Sequence, residues 1–129
     1  EQGEFSYAPG KWTLKEVLLH LIDTERVFSH RALSIARADP NPLPGFEQDD
    51  WIAPARCAER TVESLLREWV AVRHAYLALI AGLPQEATTR MGVASGNPAS
   101  VRALAFIPPG HTTYHLELIQ RDYGIRVLE

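Results

Sequence analysis

The sequence predicts an all-α protein, an up-down four-helix bundle. Three segments repeat their apolar residues at helical spacing, each carries a capping signal, and none shows the strict alternation of a half-buried strand. At 129 residues, 46% hydrophobic and 22% charged, the chain has the length and balance of one globular domain, residues 1–129. That balance excludes disorder and collagen-like structure. No run approaches the roughly 20 apolar residues that a membrane span needs.

The first helix opens at Trp12-Thr13-Leu14-Lys15-Glu16-Val17. Thr13 can cap the amide of Glu16, Glu16 can reach back to Thr13, and Trp12 can staple onto Val17. Asp39-Pro40-Asn41-Pro42 cannot continue a helix, so the first one ends near Ala38. The second is capped by Thr61 and carries Val62, Leu65, Leu66, Trp69, Val72, Tyr76, Leu79 and Ile80 on one side, with Gly82 and Pro84 stopping it. The third runs from about Ser100 to Tyr123, and Pro108-Pro109-Gly110 inside it predicts a kink or break near Phe106. Two long connections, 39–60 and 83–99, are rich in Pro, Gly, Asn and Asp, and loops of that length tend to be functional or to cover a site. Three wide apolar stripes want a fourth partner. The expectation is either a helix preceding Glu1 or a second subunit, which makes a homodimer an expected partner.

Charge and cysteine content narrow the function. Net charge is −3, with 13 Lys+Arg against 16 Asp+Glu, and no clustered cationic face of the kind that neutralises phosphates, so nucleic acid is not an expected partner. The lone Cys57 excludes an intramolecular disulfide, and a reducing cytoplasm is the expected compartment. Without a flanking histidine, Cys57 reads as a small buried residue.

Histidine spacing carries the strongest chemical signal. His111 and His115 are four apart on the third helix, so their rings stand one above the other, and Leu104, Ile107, His111, His115 and Leu118 form a single stripe facing the core. Each ring could be a buried neutral imidazole bonded to a carbonyl or a water. Desolvating two adjacent imidazoles without a shared partner is costly, and a shared metal is the better explanation. Thr112 stands where a zinc protease of the HExxH type has its glutamate, which excludes that mechanism. A third ligand must come from a facing helix. His30 and His74 fall about 160° and 140° from their stripes and read as surface, while His20, about 120° from its stripe centre, is left open between ligand and surface.

The string Pro9-Gly10-Lys11-Trp12-Thr13-Leu14-Lys15-Glu16-Val17-Leu18-Leu19-His20-Leu21-Ile22-Asp23-Thr24-Glu25-Arg26 resembles the second-helix segment of the DinB-like superfamily of bacterial four-helix bundles. Arg31-Ala32-Leu33, Pro44-Gly45-Phe46, Ser100-Val101-Arg102-Ala103-Leu104 and the closing Gly110-His111-Thr112-Thr113-Tyr114-His115-Leu116-Glu117-Leu118-Ile119 are similar to it as well. The resemblance implies a DinB-like bundle whose first helix lies outside this chain. It also implies a divalent metal held by three histidines, one on the second helix and two on the last, which fall on His20, His111 and His115. The Pro108-Pro109 pair departs from the helix-compatible residues that many relatives keep there.

Three neutral imidazoles leave open positions on a divalent ion, a Lewis acid that can activate water or a thiol. Imidazole suits zinc, nickel, copper and iron alike, so the donor set does not choose the ion. The resemblance implies a metal-dependent enzyme acting on a small molecule. A transferase using a low-molecular-weight thiol is the first expectation; a hydrolase, or a metal-stabilised bundle without turnover, is the alternative. Candidate proton carriers are Asp23, Glu25, Glu47, Asp49 and Asp50. Glu25 lies about 20° from the centre of its apolar stripe, so it is either catalytic or an internal ion-pair partner for an arginine on another helix. Asp23 can orient the His20 ring or lie exposed, and Asp49-Asp50 reads as the N-cap of a short helix.

Overall fold

A computed structural model describes residues 2–126. Helix α1 spans Leu14–Ala36, α2 Gln48–Ala55, α3 Val62–Ala81 and α4 Val101–Asp122. Between α3 and α4 lies an antiparallel hairpin, β1 (Met91–Ala94) and β2 (Asn97–Ser100). The architecture is a helical bundle centred on α1, with α3 and α4 each packed along it. Among the described residues no helix is long and apolar enough to cross a membrane.

The predicted capping box starts α1. The Glu16 amide donates to Thr13 Oγ1 at 3.3 Å and the Thr13 amide donates to the Glu16 carboxylate at 2.7 Å. The helix ends at Ala36, two residues before the expected stop, because Ala38 turns into the left-handed region at φ 60°. The Arg90 guanidinium caps the freed Ala36 carbonyl. The first half of α1 is buried almost all round: Leu18, Leu19, Leu21 and Ile22 are all inaccessible, since short 3-10 turns at Gln2–Glu4 and Cys57–Glu59 pack on it beside α3 and α4. Two apolar clusters form along its length. Leu14, Val17, Leu18 and Ile22 meet Leu65 and Ile119 at one end, and Ala32, Ile35 and Ala36 meet Leu43, Ala94 and Leu104 at the other. The polar groups Thr24 and Glu25 are buried between them.

Both long connections are more ordered than their composition predicts. The 83–99 connection holds the hairpin, closed by Ser95 and Gly96 at φ 51° and 75°, the two-residue turn that matches strand twist. Leu43 joins β1 as an added bridge: its amide donates to the Val93 carbonyl at 2.9 Å, and its carbonyl accepts from the Ser95 amide at 3.0 Å. Gly92 is required where β1 crosses α1, because a Cβ there would lie 2.5 Å from the Ile35 side chain. The 39–60 connection holds α2. Its N-cap is Glu47 rather than Asp49 or Asp50, which occupy the first turn, where carboxylates favour the helix dipole without capping it.

No break occurs near Phe106: α4 is continuous through Pro108 and Pro109. Pro109 has no amide to offer the Ala105 carbonyl, and the Tyr76 hydroxyl of α3 donates to that carbonyl instead. The buried face of α4 runs through Val101, Leu104, Pro108, His115 and Ile119, so the stripe is rotated from the expected one and leaves Ile107 exposed. Leu66, Val70 and Leu77 of α3 are likewise exposed, as are Phe106 and Tyr114 of α4.

Candidate metal centre

His20 from α1 and His111 and His115 from α4 meet in the interior. His111 Nε2 lies 2.9 Å from His20 Nε2 and 3.1 Å from His115 Nε2, and one donor atom from each of the three falls within 4.8 Å of the others. The i,i+4 spacing stacks the α4 rings with centroids 4.5 Å apart, and packing of α4 on α1 sets His20 edge-on to both. His20 is only 4% exposed, because α1 buries more than the single face a wheel assumes. The Trp12 ring covers it at a centroid distance of 4.9 Å, and Thr24 Oγ1 stands 3.4 Å from its Nδ1. Thr24 thus occupies the ring-orienting position considered for Asp23. His30 and His74 are exposed, as their helix positions predict.

This donor set fits a divalent ion. Nitrogens bound about 2.1 Å from one cation lie about 3.0 to 3.4 Å apart, the former on an octahedral face and the latter on a tetrahedral one. The observed 2.9 and 3.1 Å contacts match that spacing. Without a cation they conflict: His111 Nε2 carries either one proton or one lone pair, so it cannot make two good hydrogen bonds to neighbouring ring nitrogens. Burial, reinforced by the two neighbouring rings, drives His20 down to about 3. Burial and then His111 drive His115 down to about 4, and burial lowers His111 too. All three are therefore neutral near pH 7, the state in which imidazole ligates. Protons would compete for these nitrogens well below pH 6.5. His115 Nδ1 is buried without a hydrogen-bond partner among the described residues.

Glu25 belongs to a second interior cluster. It is 2% exposed, and both its oxygens are taken: Arg73 donates from Nε to Oε1 at 2.5 Å and from Nη2 to Oε2 at 3.0 Å, and Trp69 Nε1 donates to Oε2 at 3.2 Å. Arg73 Nη2 also donates to Thr112 Oγ1 at 2.9 Å, tying the cluster to the residue next to His111. The internal ion pair is thus what the structure forms. Arg73 was legible, since it lies about 40° from Trp69 on the helical wheel and so within the apolar stripe of α3; Thr112 and Trp69 gave no comparable signal.

A cleft of about 280 Å³ reaches one of the three histidines, His115, and is walled also by Trp12, Tyr7, Lys11, Asp49 and Tyr123. Of the candidate carboxylates it brings Asp49 to the wall holding His115. Asp23 lines a different cavity, and Glu47 and Asp50 line neither. Cys57 is buried, and burial raises its thiol, which keeps it protonated and inert.

A helical bundle with three neutral imidazoles converging beside an open cleft defines a class: bundles whose core offers a site for a divalent metal. This chain belongs to the DinB superfamily, whose family model matches residues 1–119. Among solved structures it is similar to YfiT from Bacillus subtilis, described as a probable metal-dependent hydrolase with an unusual four-helix bundle topology. The two superpose with a TM-score of 0.74 at 16% identity, over 93% of this chain and 72% of the other, a likeness of fold. A search of the curated proteins finds no match.

Proposed function

We propose that this protein is a metal-dependent enzyme in which His20, His111 and His115 hold one divalent cation and the adjoining cleft takes a small-molecule substrate. The observation that carries this reading is the convergence of three neutral imidazole nitrogens at 2.9 and 3.1 Å beside a cleft walled by one of them. Structural zinc sites usually close with four ligands, often thiolates, and the single thiol here is buried in the Leu14/Ile22 cluster. A cation bound by the three rings supplies Lewis acidity, drawing the pKa of a coordinated water toward about 7 and ionising a coordinated thiol.

The remaining roles fall to the chain itself. Trp12 shields His20 from solvent, and Thr24 steadies its ring. Asp49, on the cleft wall with His115, is the carboxylate placed to accept a proton, while Lys11 on the same wall offers a charge to an anionic substrate group. Glu25 acts as a positioning residue, holding Arg73 against Thr112 and so fixing α4 beside His111. Asp49 favours hydrolysis, consistent with the description of the structural neighbour. Thiol transfer is the second reading, favoured by the neutral donor set, which leaves the full charge of the cation for a thiolate to offset in part.

The test is a screen of the metal-loaded protein with ester and amide substrates, and in parallel with low-molecular-weight thiols and electrophiles. Hydrolysis without thiol, lost in His115→Ala and reduced about a hundredfold or more in Asp49→Asn, is the expected result, about a hundredfold being the low end for a general base. Turnover only with thiol would establish the second reading. No turnover and a coordination sphere saturated by protein would contradict both.

A further inference from the structure

We propose that a second cavity, between α1 and the segment carrying α2, binds a small apolar or aromatic carboxylate whose charge is met by Arg31. This cavity, about 340 Å³, is separate from the histidine cleft. Its floor is the α1 ridge Asp23, Val27 and Arg31, one side chain per turn, and its opposite wall is apolar: Leu43, Phe46 and Trp51. Phe46 and Trp51 lie with ring centroids 4.8 Å apart, a pair of flat surfaces suited to an aromatic or alkyl body.

Arg31 is the anomaly that identifies the ligand. It is 5% exposed, yet no carboxylate of the described residues comes within 4.0 Å of it. Arg73 and Arg60, whose side chains are more exposed, each hold a glutamate. A guanidinium stays charged in any protein environment, so burial without a counter-charge is costly, and the Phe28 and Phe46 rings at 4.9 and 5.8 Å offset only part of it. Its Nη2 donates to the Pro44 carbonyl at 2.8 Å and to Ser95 Oγ at 2.9 Å, whereas Nε and Nη1 make no hydrogen bond among the described residues. These free N–H groups point to different sides of the guanidinium, and a carboxylate at either takes a single charge-assisted hydrogen bond.

Asp23 sets the other end. Eight residues of helix separate it from Arg31, about 12 Å along the axis. Arg26, which lines the same end, is held by Glu68, so a second anionic group there would meet the Asp23 carboxylate without a free guanidinium beside it, and the far end of the ligand is neutral or a hydrogen-bond donor. The site therefore takes a monoanion with a body long enough to lie over Val27.

The experiment is calorimetric titration of the full chain with 4-phenylbutyrate and with the matching neutral amide, with and without added zinc. One saturable site for the acid is expected, at least about tenfold tighter than for the amide, the low end for a charge-assisted hydrogen bond, and equal with and without zinc. Arg31→Gln should erase the discrimination between acid and amide. Val27→Trp, which fills the floor while keeping Arg31, should abolish binding with helical content unchanged, and it serves as the test if Arg31→Gln does not fold. Equal binding of acid and amide, binding of neither, binding that requires zinc, or full affinity in Val27→Trp would each overturn the proposal.

Discussion

Two buried polar clusters lie about a turn apart on α1, and they are built on opposite principles. The Glu25 cluster is complementary: a carboxylate meets a guanidinium and an indole, and the guanidinium's spare donor meets Thr112. Every group brings what its neighbour lacks, so nothing further is called for. The His20, His111 and His115 cluster is uniform: three groups of the same kind aim the same atom at one point, and none supplies what the others need. A buried polar cluster that satisfies itself holds a structure together. One that cannot do so marks the place of something from outside, and Arg31, buried without a counter-charge, is a smaller instance of the same rule.

The comparison predicts different failures. The largest effect falls on metal binding: at free zinc about a thousand times Kd the wild type should gain about 4.1 kcal/mol of stability, and His111→Ala or His115→Ala should gain none. His20→Ala should lose most of the gain, and His30→Ala and His74→Ala should keep it, as read by thermal denaturation with and without zinc. Glu25→Ala acts on folding instead. It leaves the Arg73 charge partly buried and unpaired, and since Arg73 is about a quarter exposed, chemical denaturation should show a loss near the low end for a broken buried pair, about 3 kcal/mol. Zinc should still stabilise that variant, and a variant that lost zinc binding together with the ion pair would erase the distinction between the clusters.

Acid sharpens the contrast. The folded protein holds His20 at about 3 and His115 at about 4, below the unfolded value of about 6.5. Between these limits the unfolded chain binds more protons, so the contribution is complete above pH 6.5 and is lost as pH falls through the folded values. Metal-free wild type should lose stability relative to His115→Leu as the pH of the denaturation series drops from 7 to 4. The smallest effect is expected at Tyr76→Phe, about 1 kcal/mol, because one carbonyl freed by Pro109 loses its donor.

These contrasts also explain what the sequence disclosed. Local signals were legible: the Thr13–Glu16 box starts α1 as written, and the i,i+4 pair His111 and His115 faces inward because spacing along one helix needs no tertiary information. His20 was ambiguous because a wheel assigns one buried face per helix, while α1 sits at the centre of the bundle and is covered on several sides. Resemblance to a family pointed to His20 where periodicity left it open, and the structure places its ring beside those of His111 and His115. The prolines of α4 misled for a related reason: the donor that keeps the helix continuous comes from Tyr76, 29 residues away. The hairpin was written in Ser95-Gly96 but masked by strands of four residues, too short to show alternation.

The claim that the uniform cluster is a metal site is tested most directly by X-ray absorption on the zinc-loaded protein. One zinc per chain is expected, with three imidazole nitrogens at about 2.0–2.1 Å and the remaining positions filled by oxygen from solvent. A zinc surrounded by oxygen alone, without imidazole scattering, or an unchanged imidazole signal in His115→Ala, would contradict it.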